Sequence, residues 1–420
     1  MISSNNYKKK LKNYINKESL LKLCLLISSF NVVLWYYKKF IYGDRQPFWD
    51  LIVNYCAGQS YLNNISPYKY GIGNNPLSKC LFESGGLNDG FFYVATIPLL
   101  KLSSLLAQFD VETIKSSWVL VNLLSLITIF YTSAYIYKTK IKLSWYLIIL
   151  LFSFGGVNFF SLLTGNISIV AATFISIGIF FYTKNKTDIF CLLVCLAALL
   201  RPQFFMFILI PFMEKDKKYF LKFLFYSLTI SILFFYDYFF NKELFFGFLK
   251  GLAFVRSDGW FFTYGDGIGL DAIIDQMPYA ILLMFDSYIQ SGPSKYSNFA
   301  WMIIASILLI GAYNFLRKKD SVIKINRLNS IALGTIIITA CLPRLQMYDL
   351  FLAIPATHYI ANNLMINRNK NISFFGFAIL IIIYSVHDLN APLFVFFLIY
   401  FYYFINNNFF NLKKRGIDFS

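Results

Sequence analysis

Apolar positions along the chain come in long runs, not at alternating sites. The first extends from about Leu20 to Ile41. Others follow at roughly 91–107, 116–137, 143–163, 166–183, 187–213, 219–240, 297–316, 328–342, 347–363, 372–388 and 391–407. About 20 consecutive apolar residues make a helix long enough to cross the hydrocarbon layer of a bilayer. In lipid the backbone must satisfy its own hydrogen bonds, which leaves the helix as the default spanning element. The pattern therefore predicts an all-α, polytopic integral membrane protein of about 12 transmembrane helices, with residues 1–420 forming one membrane domain.

Two polar stretches interrupt the runs. Residues 42–90 form a first external loop, in which Phe48, Leu51, Ile52, Tyr55 and Leu62 recur at helical spacing. That spacing predicts an amphipathic helix lying in the membrane interface. The later part of this loop is rich in Gly, Asn and Pro and reads as irregular. Residues 241–296 form a second large external loop with a Gly/Asp-rich piece, SDGWFFTYGDGIGLDAIIDQ. Its GDGIG lacks the strand-to-helix setting of a dinucleotide site.

Composition narrows the class further. Hydrophobic residues are 58% and charged residues 14% of the chain, against roughly 45–50% and about 25% in soluble domains. Soluble enzymes, DNA-binding modules and secreted disulfide scaffolds are excluded. The 38 basic and 21 acidic residues give a net charge of +17, and most of the excess sits between apolar runs, where it sets orientation and meets anionic lipid heads. The clusters are Lys138/Lys140/Lys142, Lys184/Lys186, Lys215/Lys217/Lys218, Arg317/Lys318/Lys319, Arg368/Lys370 and Lys413/Lys414/Arg415. Placing all of them and both termini in the cytoplasm requires that the 187–213 run turn back at Arg201-Pro202. It also requires that the 91–107 run be re-entrant or split. The outer face then receives the 42–90 loop, Thr164-Gly165-Asn166, the 241–296 loop, Pro343 to Asp349, and His387-Asp388.

The first apolar run has no small-residue cleavage pattern and reads as an anchor. Cys24, Cys191, Cys195 and Cys341 lie in apolar segments, where Cys behaves as a small hydrophobe. Cys56 and Cys80 share the first loop and pair only if that loop meets an oxidising compartment. No CxxC or Cys/His metal spacing occurs, and His358 and His387 are isolated, so neither a metal nor another cofactor is expected.

Four places carry candidate chemistry. Asp50 opens the expected interfacial helix, where a helix N-terminus favours its charge. Such a residue is either a plain helix-start acid or a base that takes a proton from a substrate hydroxyl. Arg201-Pro202 divides an apolar run. A cation there either faces water at a hairpin tip or meets an anion, and a guanidinium fork suits phosphate. Arg344 and Asp349, in PRLQMYD, either pair with each other or line a polar site. Gly165-Asn166 either caps a helix or contributes to that site.

These residues occur in an order that resembles glycosyltransferase family 87. The resemblance rests on Asp50 through Pro67-Tyr68, Phe92-Tyr93, Gly165-Asn166, Arg201-Pro202, and Pro343-Arg344 with Tyr348-Asp349, and it spans roughly residues 20 to 365. Tyr93-Val94-Ala95 stands where that family has Tyr-Pro-Pro, Asn166-Ile167-Ser168 where it has Gln-x-Asn, Asn64 at a usual glycine, and Arg201 at a usual lysine. The resemblance implies a GT-C-like fold and the transfer of a hexose, such as mannose, on the outer face of a bacterial cytoplasmic membrane. The donor is a polyprenyl-phosphate sugar and the acceptor a glycan or glycolipid. Asp50 is then the catalytic base, with Tyr68, Asp89, Tyr93, Asn166, Arg201, Arg344, Tyr348 and Asp349 at the substrates. A polysaccharide polymerase or ligase, and a transporter or flippase of lipid-linked sugars, are the rival readings. A transporter should show broken helices in matching halves, and the sequence has no visible internal repeat.

Overall fold

The computed structural model describes residues 4–42, 47–68, 75–85, 93, 95–139, 141–214, 219–257, 269–271, 273–274, 297–316, 327–386 and 390–414. Among them the structure is all-α, without strands. The helices are α1 (Ser4–Tyr42), α2 (Trp49–Leu62), α3 (Ser78–Gly85), α4 (Ile97–Leu106), α5 (Val111–Ile136), α6 (Leu143–Thr164), α7 (Ser168–Thr183) and α8 (Thr187–Leu200). A 310 helix, Pro202–Glu214, follows. Then come α9 (Tyr219–Phe240), α10 (Lys242–Ser257), α11 (Ser297–Leu316), α12 (Arg327–Cys341), a 310 turn at Met347–Asp349, α13 (Ala353–Met365), α14 (Lys370–Ser385) and α15 (Ala391–Lys414).

Five described helices are long and apolar enough to cross a membrane: Asn16–Lys39 within α1, α5, α6, α9, and Phe299–Leu316 within α11. The outward face of α9 shows why lipid is the surrounding medium. Phe220, Leu221, Phe225, Leu228, Phe239 and Phe240 are all exposed, an apolar stripe that water would penalise. At the opposite extreme α12 is buried at every position from Asn329 to Cys341, so it forms the central post. Between these limits α7 and α8 approach closely at Gly178, where a Cβ would stand 3.3 Å from the Phe190 ring and 3.5 Å from Leu193 Cβ, small residues at such crossings being the usual basis of helix packing in lipid.

Several apolar runs are interrupted, whereas the sequence reading asks for a re-entrant or split run only at 91–107 and for a turn back only at Arg201-Pro202. Of the 91–107 run the described helix is the 10-residue α4, about 15 Å long at about 1.5 Å per residue. Thr96 caps it by accepting Leu99 N at 3.2 Å, and Pro98 fits its first turn. The 347–363 run separates into the Met347–Asp349 turn and α13. Within α6, residues Ser153 to Gly156 leave the helical conformation, with Phe154, Gly155 and Gly156 all at positive φ. The Asn158 side chain donates to Leu150 O at 2.7 Å across this break, and Ser153 Oγ donates to Ile149 O at 2.6 Å, replacing part of the lost ladder. Toward the amino terminus, α1 is helical from Ser4 onward, well before the first apolar run begins at Leu20.

In the first polar stretch the expected helix is present as α2, while the part expected to be irregular carries the short helix α3, and residues 43–46, 69–74 and 86–92 lie outside the described ones. Helix α2 buries Trp49, Leu51, Ile52, Tyr55, Cys56 and Ala57. Leu62, expected on the same face, is exposed instead, because the helix ends there at Asn63. The helix packs against α4 so tightly that a side chain at Gly58 would collide with the carbonyl of Ser103. Cys56 and Cys80 are joined by a disulfide, which ties α3 to α2. In the second stretch α10 is helical, and of its Gly/Asp-rich piece only Ser257, the last residue of α10, and residues 269–271 and 273–274 are described. The His387-Asp388 pair lies outside the described residues.

The end of α7 remote from Asp50 is followed by the Lys184/Lys186 cluster. There Arg327 donates to Asn185 Oδ1 and Tyr182 O, each at 2.8 Å, and Lys222 pairs with Asp188 at 2.8 Å. This polarity yields a direct expectation. Single cysteines introduced at Asn63 and at Thr139 should label from opposite faces of sealed vesicles with a membrane-impermeant thiol reagent. Labelling of both from one face would overturn the arrangement.

Candidate functional site

The site forms where four chain breaks meet: the start of α2, the α6–α7 turn, the α8–310 junction and the segment after α12. The α6–α7 turn requires Gly165, which is left-handed at φ 69°, a position glycine fills without penalty. A Cβ there would also stand 3.0 Å from Leu51 Cβ and 3.0 Å from the Phe48 ring, so α2 presses directly on the turn. Phe48, itself left-handed at φ 65°, donates its backbone N–H to Leu163 O at 2.8 Å. One carbonyl left over at the end of α6 is thereby satisfied by the residue that leads into α2.

That junction sets Asp50 in the first turn of α2, half-buried, facing Asn166. Asn166 Nδ2 donates to Asp50 Oδ2 at 2.9 Å, and Asn166 Oδ1 accepts Ser168 N at 2.9 Å. The second bond fixes the orientation of the amide, because its oxygen is committed to capping α7 and its nitrogen must then face the carboxylate. Ser168 continues the connection, its hydroxyl donating to Asp349 Oδ1 at 2.9 Å.

Asp349 is the most enclosed group of the site, its side chain 0% exposed. Arg201 Nη2 pairs with Asp349 Oδ1 at 2.8 Å and donates to Gln346 Oε1 at 3.3 Å. Asp349 Oδ2 accepts Gln346 N at 3.0 Å, closing the 310 turn on itself. The expected break at Arg201-Pro202 is present, with Arg201 extended (φ −139°, ψ 94°) between α8 and the 310 helix. Helix flanks it on both sides, α8 before and the 310 helix after. Arg201 spends one terminal nitrogen on these partners. Its Nε has no hydrogen-bond partner among the described residues.

Arg344 stands close enough to Arg201 for the two charges to act on each other. Desolvation of its guanidinium and, next, the Arg201 charge push its pKa down to about 9, opposed by Tyr348, Asp349 and Asp271. A guanidinium so placed stays protonated at neutral pH, and the cost of two adjacent cations is offset by any anion that enters between them. Arg344 adopts a left-handed backbone at φ 55°, and its N–H donates to Asp271 Oδ2 at 2.7 Å.

The aromatic candidates fall into two places. Tyr348, on the 310 turn, stacks with Phe160, which stacks in turn with Tyr36 and lies against Trp49. Tyr68 and Tyr93 pack together with ring centres 5.5 Å apart, and Tyr68 donates to Ala95 O at 2.9 Å. This second pair connects to the first cluster only indirectly. Thr96 donates to Leu199 O at 2.7 Å, two residues before Arg201, and Lys101 pairs with the buried Asp237 of α9 at 2.7 Å. Asp89 lies outside the described residues.

The structure thus brings Asp50, Asn166, Arg201 and Asp349 into one hydrogen-bonded chain, with Arg344 and Tyr348 beside it. Ser168, Gln346 and Asp271 escaped the sequence reading. Ser168 falls where the resembled family has Asn, and so it registered as a departure. Gln346 was passed over inside PRLQMYD. Among the described residues no group of three or more His, Cys, Asp and Glu side chains is placed to hold a metal.

Fold and site together define a helical membrane protein with a charged polar cluster at the ends of its helices. No protein-family model matches the chain, and no curated protein or solved structure matches it.

Removing one partner of a buried pair leaves the other charge uncompensated, typically costing about 3–5 kcal/mol. Arg201→Ala should therefore lower the apparent unfolding temperature in detergent, and Arg201→Ala/Asp349→Ala should recover part of the loss. Equal unfolding temperatures in wild type and the single variant would show that the pair carries no structural weight.

Proposed function

We propose that the chain is a membrane glycosyltransferase. It moves a hexose from a polyprenyl-phosphate donor to a glycan or lipid-linked acceptor on the outer face of a bacterial cytoplasmic membrane. The observation that carries this reading is the convergence of a carboxylate, Asp50, with the Arg201/Asp349 pair and a second arginine at the ends of apolar helices. The resemblance to glycosyltransferase family 87 runs through the same positions. In this reading the bundle is GT-C-like and crosses about twelve times, the shorter apolar helices included.

The chemistry divides between the two ends of the chain of residues. Asp50 takes the proton from the acceptor hydroxyl as its oxygen attacks the anomeric carbon. The bond from that carbon to the phosphate oxygen breaks, its electron pair leaves with the polyprenyl phosphate, and the configuration inverts. Arg201 and Arg344 stabilise the charge that accumulates on the leaving phosphate. Asp349 holds Arg201, and Asn166 holds the orientation of Asp50. Tyr68, Tyr93, Tyr348 and Asp89 belong to the substrate surfaces in this reading.

A second reading has one observation in its favour. The interruption of α6 at Ser153–Gly156 and the junction at Arg201 are discontinuities of the kind transporters use. A flippase of lipid-linked sugars would move the donor without breaking it.

Sugar transfer in vesicles separates the two. Asp50→Asn keeps size and hydrogen bonding but cannot accept the proton, so transfer should fall by about 10²–10⁴-fold while the protein still inserts. Near-normal turnover in Asp50→Asn together with a dead Asp89→Asn would move the base to Asp89. Movement of the lipid-linked sugar across the bilayer with no transfer in wild type would establish the transporter instead.

A further inference from the structure

The Gly/Asp-rich piece of the second large loop has no part in the chemistry above, yet its described residues lie against the turn that follows α12. Asp271 Oδ2 accepts the backbone N–H of Arg344 at 2.7 Å. Arg344 sits at φ 55°, a conformation that a non-glycine residue keeps only where its surroundings enforce it. The enforcement is visible on both sides. The next residue, Leu345, is fully buried, and a Cβ on Gly269 would stand only 2.9 Å from Leu345 N. The Gly269–Asp271 backbone therefore lies flush against residues 344 and 345, and only a short acceptor fits between them.

We propose that Asp271 is a positioning residue. By accepting the Arg344 amide it holds the Pro343-Arg344 turn in its left-handed form and so presents the second guanidinium, beside Arg201, to the phosphate of the donor. The identity of that anion rests on the transferase reading, whereas the brace itself is a matter of geometry. Asp271 touches no reacting atom in this scheme and acts through Arg344. Its negative charge also favours the protonated guanidinium.

Side-chain chemistry dictates the pattern of rescue. Asparagine presents the same oxygen at the same distance and can accept the amide, so Asp271→Asn should keep donor KM within about threefold of wild type. Glutamate is one methylene longer, and the close approach at Gly269 leaves it no room. Asp271→Ala should raise donor KM on the order of tenfold and lower kcat as well, because the displaced Arg344 both binds the phosphate and meets the charge that builds on it. In an Arg344→Ala background Asp271→Ala should add nothing, because coupled residues are not additive. Wild-type donor KM in Asp271→Ala, or full additivity in the double variant, would overturn the proposal.

Binding measured without turnover separates this proposal from the transferase reading. Polyprenyl phosphate, which lacks the sugar, should raise the unfolding temperature of the full-length wild type and Asp271→Asn, and much less that of Asp271→Ala. Inorganic phosphate run in parallel shows whether the anion must arrive on a lipid. If wild type transfers no sugar but this binding pattern holds, the transferase reading fails and the brace stands. If Asp271→Ala binds polyprenyl phosphate as wild type does, or wild type binds neither probe, the brace fails. Should Asp271→Ala not insert, Gly269→Ala displaces the same brace and is expected to weaken binding similarly.

Discussion

The arrangement depends on one enclosed carboxylate. Asp349 has no exposure to solvent, and a charge in that position persists only with partners on each side. Arg201, the Ser168 hydroxyl and the Gln346 amide provide them. Those three groups come from the end of α8, the start of α7 and the segment after α12, so satisfying a single side chain fixes where three helices end. Arg201 gains in the same exchange, since a guanidinium among apolar helices is costly unless an anion faces it. The pair therefore organises this end of the bundle and still leaves part of the arginine fork uncommitted.

Asp50 reaches the cluster by a different route. Phe48 and Gly165 are both left-handed, and α2 begins where the end of α6 offers it a carbonyl. The acid is thus presented by a backbone junction, and only its final orientation is left to Asn166. Helix α4 and the disulfide brace α2 from behind, through the contact at Gly58 and the link from Cys56 to Cys80. A half-buried acid on a helix braced in this way has little freedom to move.

What the sequence reveals and conceals follows from the physics of each position. Polar residues inside apolar runs stand out because lipid penalises them, and so Arg201, Asn166 and Asp349 could be singled out. Pro202 exposed the break after α8 because its ring cannot continue a helix. The interruption of α6 went unread because the reversal of φ leaves no mark on hydropathy, although Gly155-Gly156 beside Ser153 is a composition at which helices kink. Ser168 looked like the loss of an amide, although its hydroxyl carries the contact to Asp349. Asp271 was invisible for another reason: its partner is a backbone amide 73 residues away, and no local pattern encodes that distance. Leu62 misled because helical spacing continued one residue past the point where burial stopped.

The burial of α12 bears on how the molecule is made. Its 15 residues reach only about 22 Å at about 1.5 Å per residue, and they include Asn329, Ser330, Thr335 and Thr339. Alone in lipid such a segment is a poor span, because these polar groups and its short length both count against insertion. It becomes stable only when α11, α13 and the 310 helix after Arg201 surround it. Such burial favours an inward order of assembly, with the outer helices in place before the post is captured. The Pro343–Asp349 segment hangs from the end of that post, so its polar groups converge on the cluster only once the last piece is seated. A nascent chain that has threaded every outer helix is still an unfinished protein.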